Sequence, residues 1–284
     1  MRFHAPPASE VDPACRARPP LAEWVQAWPE LFPDAQWPSL DALEQARRVA
    51  QRADAIARPR FVAQDRALLD DGLHYEQRIA AGVVATRAAN WHDLLNALVW
   101  LRYPRIKRAL NAAQLSGIAE VGPRDRTRRQ CALTHFDEAG AIVLVADDDL
   151  LAQWDAHDWP GLMGVHADDW GERIAVRVFG HATLEHALAD GQLLVAKAIA
   201  LRAGAEQVRA FARGEAAATA CIDARVAALV AAGDELIDPQ DLRPLPLSGV
   251  PGWHPLSGDA AFLRNAPCFR PLRSGRRYPA PLQA

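Results

Sequence analysis

The sequence predicts an α+β fold: a mostly helical single domain with a small antiparallel sheet. Three observations carry this. Apolar residues at helical spacing dominate the middle of the chain, above all in Asn90-Trp91-His92-Asp93-Leu94-Leu95-Asn96-Ala97-Leu98-Val99-Trp100. Short apolar or alternating runs separate the helical stretches, at residues 141–145 and 173–179. Finally, 284 residues, 50% of them hydrophobic, suffice for one large core. The chain reads as a Pro/Trp-rich N-terminal wrap (1–38), an α+β body carrying the candidate site (39–242) and a Pro/Gly-rich tail packed on the body (243–284).

In the wrap, Trp24, Trp28 and Trp37 alternate with prolines and need burial, so it is expected to be ordered, with a short helix over 21–28. Ser39 is a cap for a helix to about residue 57, which Pro59 stops. Residues 59–64 and 75–84 read as extended. Asn90 caps a helix over 90–102, and Pro104 ends it and opens the next. Residues 131–136 and 141–145 suggest a hairpin around Asp137-Glu138-Ala139-Gly140. Asp147, Asp148 and Asp149 can cap a helix to about 156. Residues 173–179 alternate as a strand, Gly180 breaks it, and 181–188 begins a helix. Further helices are expected over 193–203 and 214–232. Trp253, Phe262, Phe269 and Tyr278 argue that the tail lies pinned on the body, since disordered segments are poor in aromatics.

The net charge of -3 makes no electrostatic case for a nucleic-acid or membrane partner, and the Arg/Lys clusters at 102–108 and 124–129 read as solvated faces. Cys15, Cys131, Cys221 and Cys268 form no Cys-x-x-Cys pair, so neither a disulfide framework nor a zinc knuckle is expected. No signal-like or membrane-spanning run occurs, and the expected setting is cytoplasmic. There is no phosphate loop, dinucleotide fingerprint or nucleophile elbow, so no nucleotide cofactor and no Ser-triad chemistry is expected.

Three places combine acid and imidazole. On the 90–102 helix, Trp91, Leu94, Leu95, Leu98 and Leu101 share one arc; His92, Asp93 and Asn96 share the other, with Trp100 at its edge. Short ligating groups where a wet face would carry Lys and Glu suggest a pocket wall. His181 and Glu185 stand one turn apart on a helix that follows a strand directly, where free N–H groups converge. Asp137 and Glu138 lie at the expected hairpin tip beside His135. Each has a plainer reading as a helix cap, a satisfied histidine or a turn carboxylate.

The stretches Thr86-Arg87-Ala88-Ala89-Asn90-Trp91-His92-Asp93, Phe136-Asp137-Glu138-Ala139-Gly140, Phe179-Gly180-His181-Ala182 with Glu185, and Pro244-Leu245-Pro246 through Phe269-Arg270-Pro271 resemble the bacterial proteins grouped as domain of unknown function 3025. The resemblance runs from about Arg60 to Arg273. It implies no activity. It does imply that His92, Asp93, Asp137, Glu138, His181 and Glu185 converge, with Arg87 and Lys107 nearby.

The resulting expectation is a small metal-assisted hydrolase. In it His92, His181 and Glu185 hold one divalent ion, and Asp93, Asn96, Asp137 and Glu138 supply the acid and base groups. Arg87, Trp91 and Lys107 bind a small-molecule substrate. The alternative is a non-enzymatic protein whose polar pocket is a hydrogen-bonded network that specifies the fold.

Overall fold

The computed structural model describes residues 3–284. Its axis is a helix buried on nearly every side. Helix α1 (Leu40–Asp54), capped by Ser39, leads into strand β1 (Arg60–Ala63). Helix α2 (Tyr75–Ala80) crosses over to strand β2 (Val83–Thr86), which pairs with β1 in parallel, Arg60↔Val83 to Ala63↔Thr86. The axial helix α3 (Trp91–Arg102) follows, with Leu95, Ala97, Leu98, Val99 and Trp100 excluded from solvent. Pro104 opens α4 (Pro104–Val121). Thr127 and Gln130 form a capping box for α5 (Arg128–Ala139), and β3 (Gly140–Val145) begins on the next residue. After α6 (Asp148–Ala156) come β4 (Ile174–Val178), α7 (His181–His186), β5 (Val195–Arg202), α8 (Ala205–Ala212), α9 (Ala216–Ala232) and β6 (Arg243–Pro246). Helix α10 (Ala260–Asn265) and strand β7 (Leu282–Gln283) close the chain.

The fold is α+β and mostly helical, as expected, but the main sheet is mixed. Its order is β4-β3-β5-β6, with β7 also on β5. The β3–β4 and β5–β6 pairs are antiparallel, whereas β3 and β5 run parallel, Gly140↔Lys197 to Val145↔Arg202. Parallel neighbours need a crossover, and the segment from α6 through α7 supplies it.

Three expected elements were wrong. Residues 75–84 are not one strand, because His74 and Gln77 cap α2 reciprocally and Gly82, at φ +87°, makes the turn before β2. Residues 131–136 are no hairpin strand. Leu133 and Phe136 are buried at helical spacing within α5, so Asp137 and Glu138 sit on the last helical turn. The 193–203 helix is the inner strand β5, where pairing on both edges overrides the helix propensity of its alanines.

The tail adds β6 to the sheet edge, and Phe269 is buried while Trp253 and Phe262 pack against the core. At the other end Trp24 is excluded from solvent, with the Arg102 guanidinium 4.1 Å from its ring centre. Among the described residues no helix is long and apolar enough to cross a membrane.

Candidate metal centre

Three chain segments deliver one group each to a common point. The Asn90 side chain accepts from the Asp93 N–H at 3.0 Å and starts α3, so His92 stands in its first turn. Glu138 lies in the last turn of α5, and His181 opens α7. The last two meet because backbone touches backbone there. The Gly140 carbonyl accepts from both Phe179 N (2.9 Å) and Gly180 N (2.8 Å). A Cβ on Gly180 would lie 2.3 Å from Gly140 N and 2.5 Å from Ala139 Cα, so only glycine permits the approach.

The three ligand-type atoms form a small triangle. His92 Nε2 and His181 Nε2 are 3.1 Å apart; Glu138 Oε2 is 3.5 Å from the latter and 4.0 Å from the former. The point equidistant from all three lies about 2.1 Å from each, the length of a zinc–imidazole or zinc–carboxylate bond.

The outer ring nitrogens set the tautomers. His92 Nδ1 meets Glu185 Oε2 at 3.1 Å; a carboxylate accepts, so Nδ1 carries a proton, and in the neutral ring the Nε2 lone pair then faces the cluster. His181 is 3% exposed, and its Nδ1 is buried without a hydrogen-bond partner, beside the Asp137 main-chain carbonyl. Burial pushes this imidazole down to about 3, so the ring stays neutral. Burial likewise raises the Glu138 carboxyl. The Glu185 hydrogen bond raises His92.

Around the triangle lies a polar cleft of roughly 360 Å³. Buried Lys107 donates to Asp137 Oδ1 (2.6 Å) and Asn96 Oδ1 (2.8 Å), and Asn96 Nδ2 donates to the Tyr75 hydroxyl at 3.2 Å. Burial acts to raise Asp137, but the charge of Lys107 and its hydrogen bond hold the carboxyl below its usual range. Deeper in, Asn111 Nδ2 donates to Glu76 Oε2 at 2.6 Å, and burial raises that carboxyl. Five acids line the cleft (Glu76, Asp93, Asp125, Asp137, Glu138) against three bases (Arg87, Lys107, Arg126). Counted as ionised, these lining groups leave an excess of two negative charges.

The convergence expected of His92, Asp137, Glu138 and His181 is present, with Lys107 beside them, but several roles differ. Glu185 is not among the three ligand atoms; it stands behind His92, and Glu138 takes the third corner. Asp93 is engaged by Arg87 through its main-chain N–H (2.6 Å), Nε (2.9 Å) and Nη2 (2.7 Å), so both carboxylate oxygens and the guanidinium are committed to each other. Trp91 faces away from the cleft. Its indole donates to the Pro6 carbonyl at 2.9 Å, and its ring packs against Phe32 and Trp37. Apolar spacing on α3 assigned Trp91 to the packed arc correctly, and that arc holds the N-terminal segment. Tyr75, Glu76 and Asn111 are cleft residues that sequence reading missed. Tyr75 and Glu76 fell in the stretch read as extended, where their helical spacing toward α3 was not legible.

Residues 59–273 match the family described as protein of unknown function (DUF3025), and the chain belongs to that family. No curated protein and no solved structure matches the chain.

Proposed function

We propose that this family member is a divalent-metal-assisted hydrolase whose ion is held by His92 Nε2, His181 Nε2 and Glu138 Oε2. One observation carries the reading: two imidazole nitrogens 3.1 Å apart share a carboxylate oxygen at 3.5 and 4.0 Å, around a point at metal-bond distance. Three protein ligands beside an open cleft match the pattern of catalytic zinc sites, which leave a place for water, rather than closed structural ones. Such an ion would lower the pKa of that water toward about 7.

This chain's residues divide the remaining work. Glu185 fixes the His92 tautomer and ring angle, the usual service of a carboxylate behind a ligating imidazole. Tyr75 accepts from Asn96 and so keeps its own proton for a substrate oxygen. Lys107, with two of its three N–H bonds spent on Asn96 and Asp137, has one left. With the ion offsetting its surplus acids the cleft would be near neutral, which suits a small uncharged ester or amide.

A second reading rests on the same 3.1 Å contact, which also fits a proton shared between the rings in a non-enzymatic network. Metal content separates them. Protein purified without a His tag is expected to carry near-stoichiometric metal, or to take up one zinc or manganese per chain, and to hydrolyse members of a chromogenic ester and amide panel only when loaded. No uptake in calorimetry, with a melting temperature indifferent to both ions, would sink the metal reading.

A further inference from the structure

A second groove, of about 860 Å³, lies across α5 from the cleft; His135 faces it, whereas Asp137 and Glu138 face the cleft. Its floor is the exposed side of β5, where Lys197 points outward between the inward Ala196 and Ala198, and the tail forms one wall. Four cations line it (Lys197, Arg270, Arg273 and Arg276), and no lining residue is a carboxylate. That imbalance is built in. The nearby acids are spent elsewhere, Asp155 on buried Arg243 (2.6 and 3.1 Å) and Asp238 on Arg128. Lys197, Arg270 and Arg273 pair with no carboxylate among the described residues.

We propose that this groove binds a small, multiply charged phosphate anion, recognised through its phosphate chain. Like charges gathered without counter-ions are costly, and burial together with Arg276, Arg273 and Arg270 lowers the Lys197 pKa, so an anion relieves all four at once. Guanidinium forks match phosphate oxygens two at a time. The volume falls in the range of small-molecule sites. Neither Tyr278 nor Trp159 offers a nucleobase a free face. Tyr278 is covered by His157 on one side (5.9 Å) and by Arg276 (4.5 Å), and Trp159 is buried against His157 and Phe269. The tail is fixed in place, since the Arg270 carbonyl accepts from Trp159 Nε1 at 2.9 Å and meets His157 Nδ1 at 3.0 Å.

The test is calorimetric titration of chelator-treated full-length protein with sodium tripolyphosphate. Saturable one-to-one binding tighter than about 1 mM is expected, weakened by at least about tenfold in the double variant Lys197→Gln/Arg273→Gln. Both side chains reach solvent and neither packs in the core, so the variant should fold, and an unchanged melting temperature verifies this. ATP should bind within a few-fold of tripolyphosphate. No binding, binding unchanged in the variant, binding that requires added zinc, or ATP more than tenfold tighter would each overturn the proposal. So would a single-stranded oligonucleotide binding more tightly with a steep salt dependence, which marks a nucleic-acid surface.

Discussion

Asp223 on α9 offers a quantitative test of how the cleft's supporting frame is held. It is 2% exposed and caps α4 from another helix, its two oxygens accepting from Arg105 N (3.1 Å) and Ile106 N (2.9 Å). Helix α4 carries Lys107 and Asn111 into the cleft and has no side-chain cap of its own. Two effects oppose each other at this carboxyl. Burial disfavours the charge, whereas the amides and the positive end of the helix favour it, by about 0.3–1 kcal/mol for the helix end. Burial wins, and the carboxyl is pushed up to about 6 from 3.8.

A carboxyl whose folded pKa is raised contributes stability that is complete below about pH 3.8 and lost as pH climbs through about 6. Roughly two pKa units correspond to about 3 kcal/mol. With an unfolding entropy near 2.1 cal/mol/K per residue, that is about 5 °C in Tm for 284 residues. Asp223→Asn cannot ionise and keeps one acceptor, so it removes the titration at the loss of one amide bond, about 1 kcal/mol. Urea unfolding of both proteins between about pH 4 and 7 should show the stability difference moving by about 2.4 kcal/mol in favour of the variant as pH rises. A difference that stays flat refutes the burial argument. One that moves the other way means that the helix end and amide bonds outweigh desolvation.

Lys107→Met should strand the Asp137 carboxylate and cost about 2–4 kcal/mol, below the figure for a fully buried pair because Asp137 keeps 29% of its side chain exposed. Adding Asp137→Asn should recover most of it, and a denaturant double-mutant cycle with coupling near zero contradicts the pairing. Glu185→Gln should weaken zinc binding by about 10–100-fold in competition with a chromogenic chelator, while the metal-free protein melts nearly unchanged; equal affinity removes Glu185 from the centre. Gly180→Ala, whose Cβ would strike the Gly140 and Ala139 backbone, should cost about 3 kcal/mol and impair zinc binding by parting His181 from Glu138. A variant melting like the parent rules out that close approach.

The sequence made α3 legible because one segment contained cap, apolar arc and polar arc together, and each arc went where its spacing sent it. Glu138 and Glu185 were harder. His181 and Glu185 lie four residues apart in α7, which invites reading them as a ligand pair. The third corner instead comes from a different helix, through a glycine-to-glycine contact that no local pattern records. Strand β5 hid for a related reason: an Ala-rich run has helical propensity, and only partners far along the chain make it a strand. Asp223, 117 residues from the amide it caps at Ile106, was beyond any local pattern.

The choice between an ion and a shared proton at the triangle turns on His181. If its Nε2–H donates to His92, its Nδ1 is a bare acceptor, buried beside the Asp137 carbonyl with no donor, which costs about 1–3 kcal/mol. If instead Nδ1 carries the proton toward that carbonyl, two Nε2 lone pairs confront each other at 3.1 Å, with the Glu138 oxygen adding a third. The second arrangement is repulsive as it stands, and a divalent cation held by the three groups would remove that repulsion and offset the cleft's two surplus negative charges. An ion would therefore relieve both the imidazole conflict and the charge imbalance, whereas a proton on His92, which the Glu185 hydrogen bond favours, relieves the first and offsets only one of the two charges.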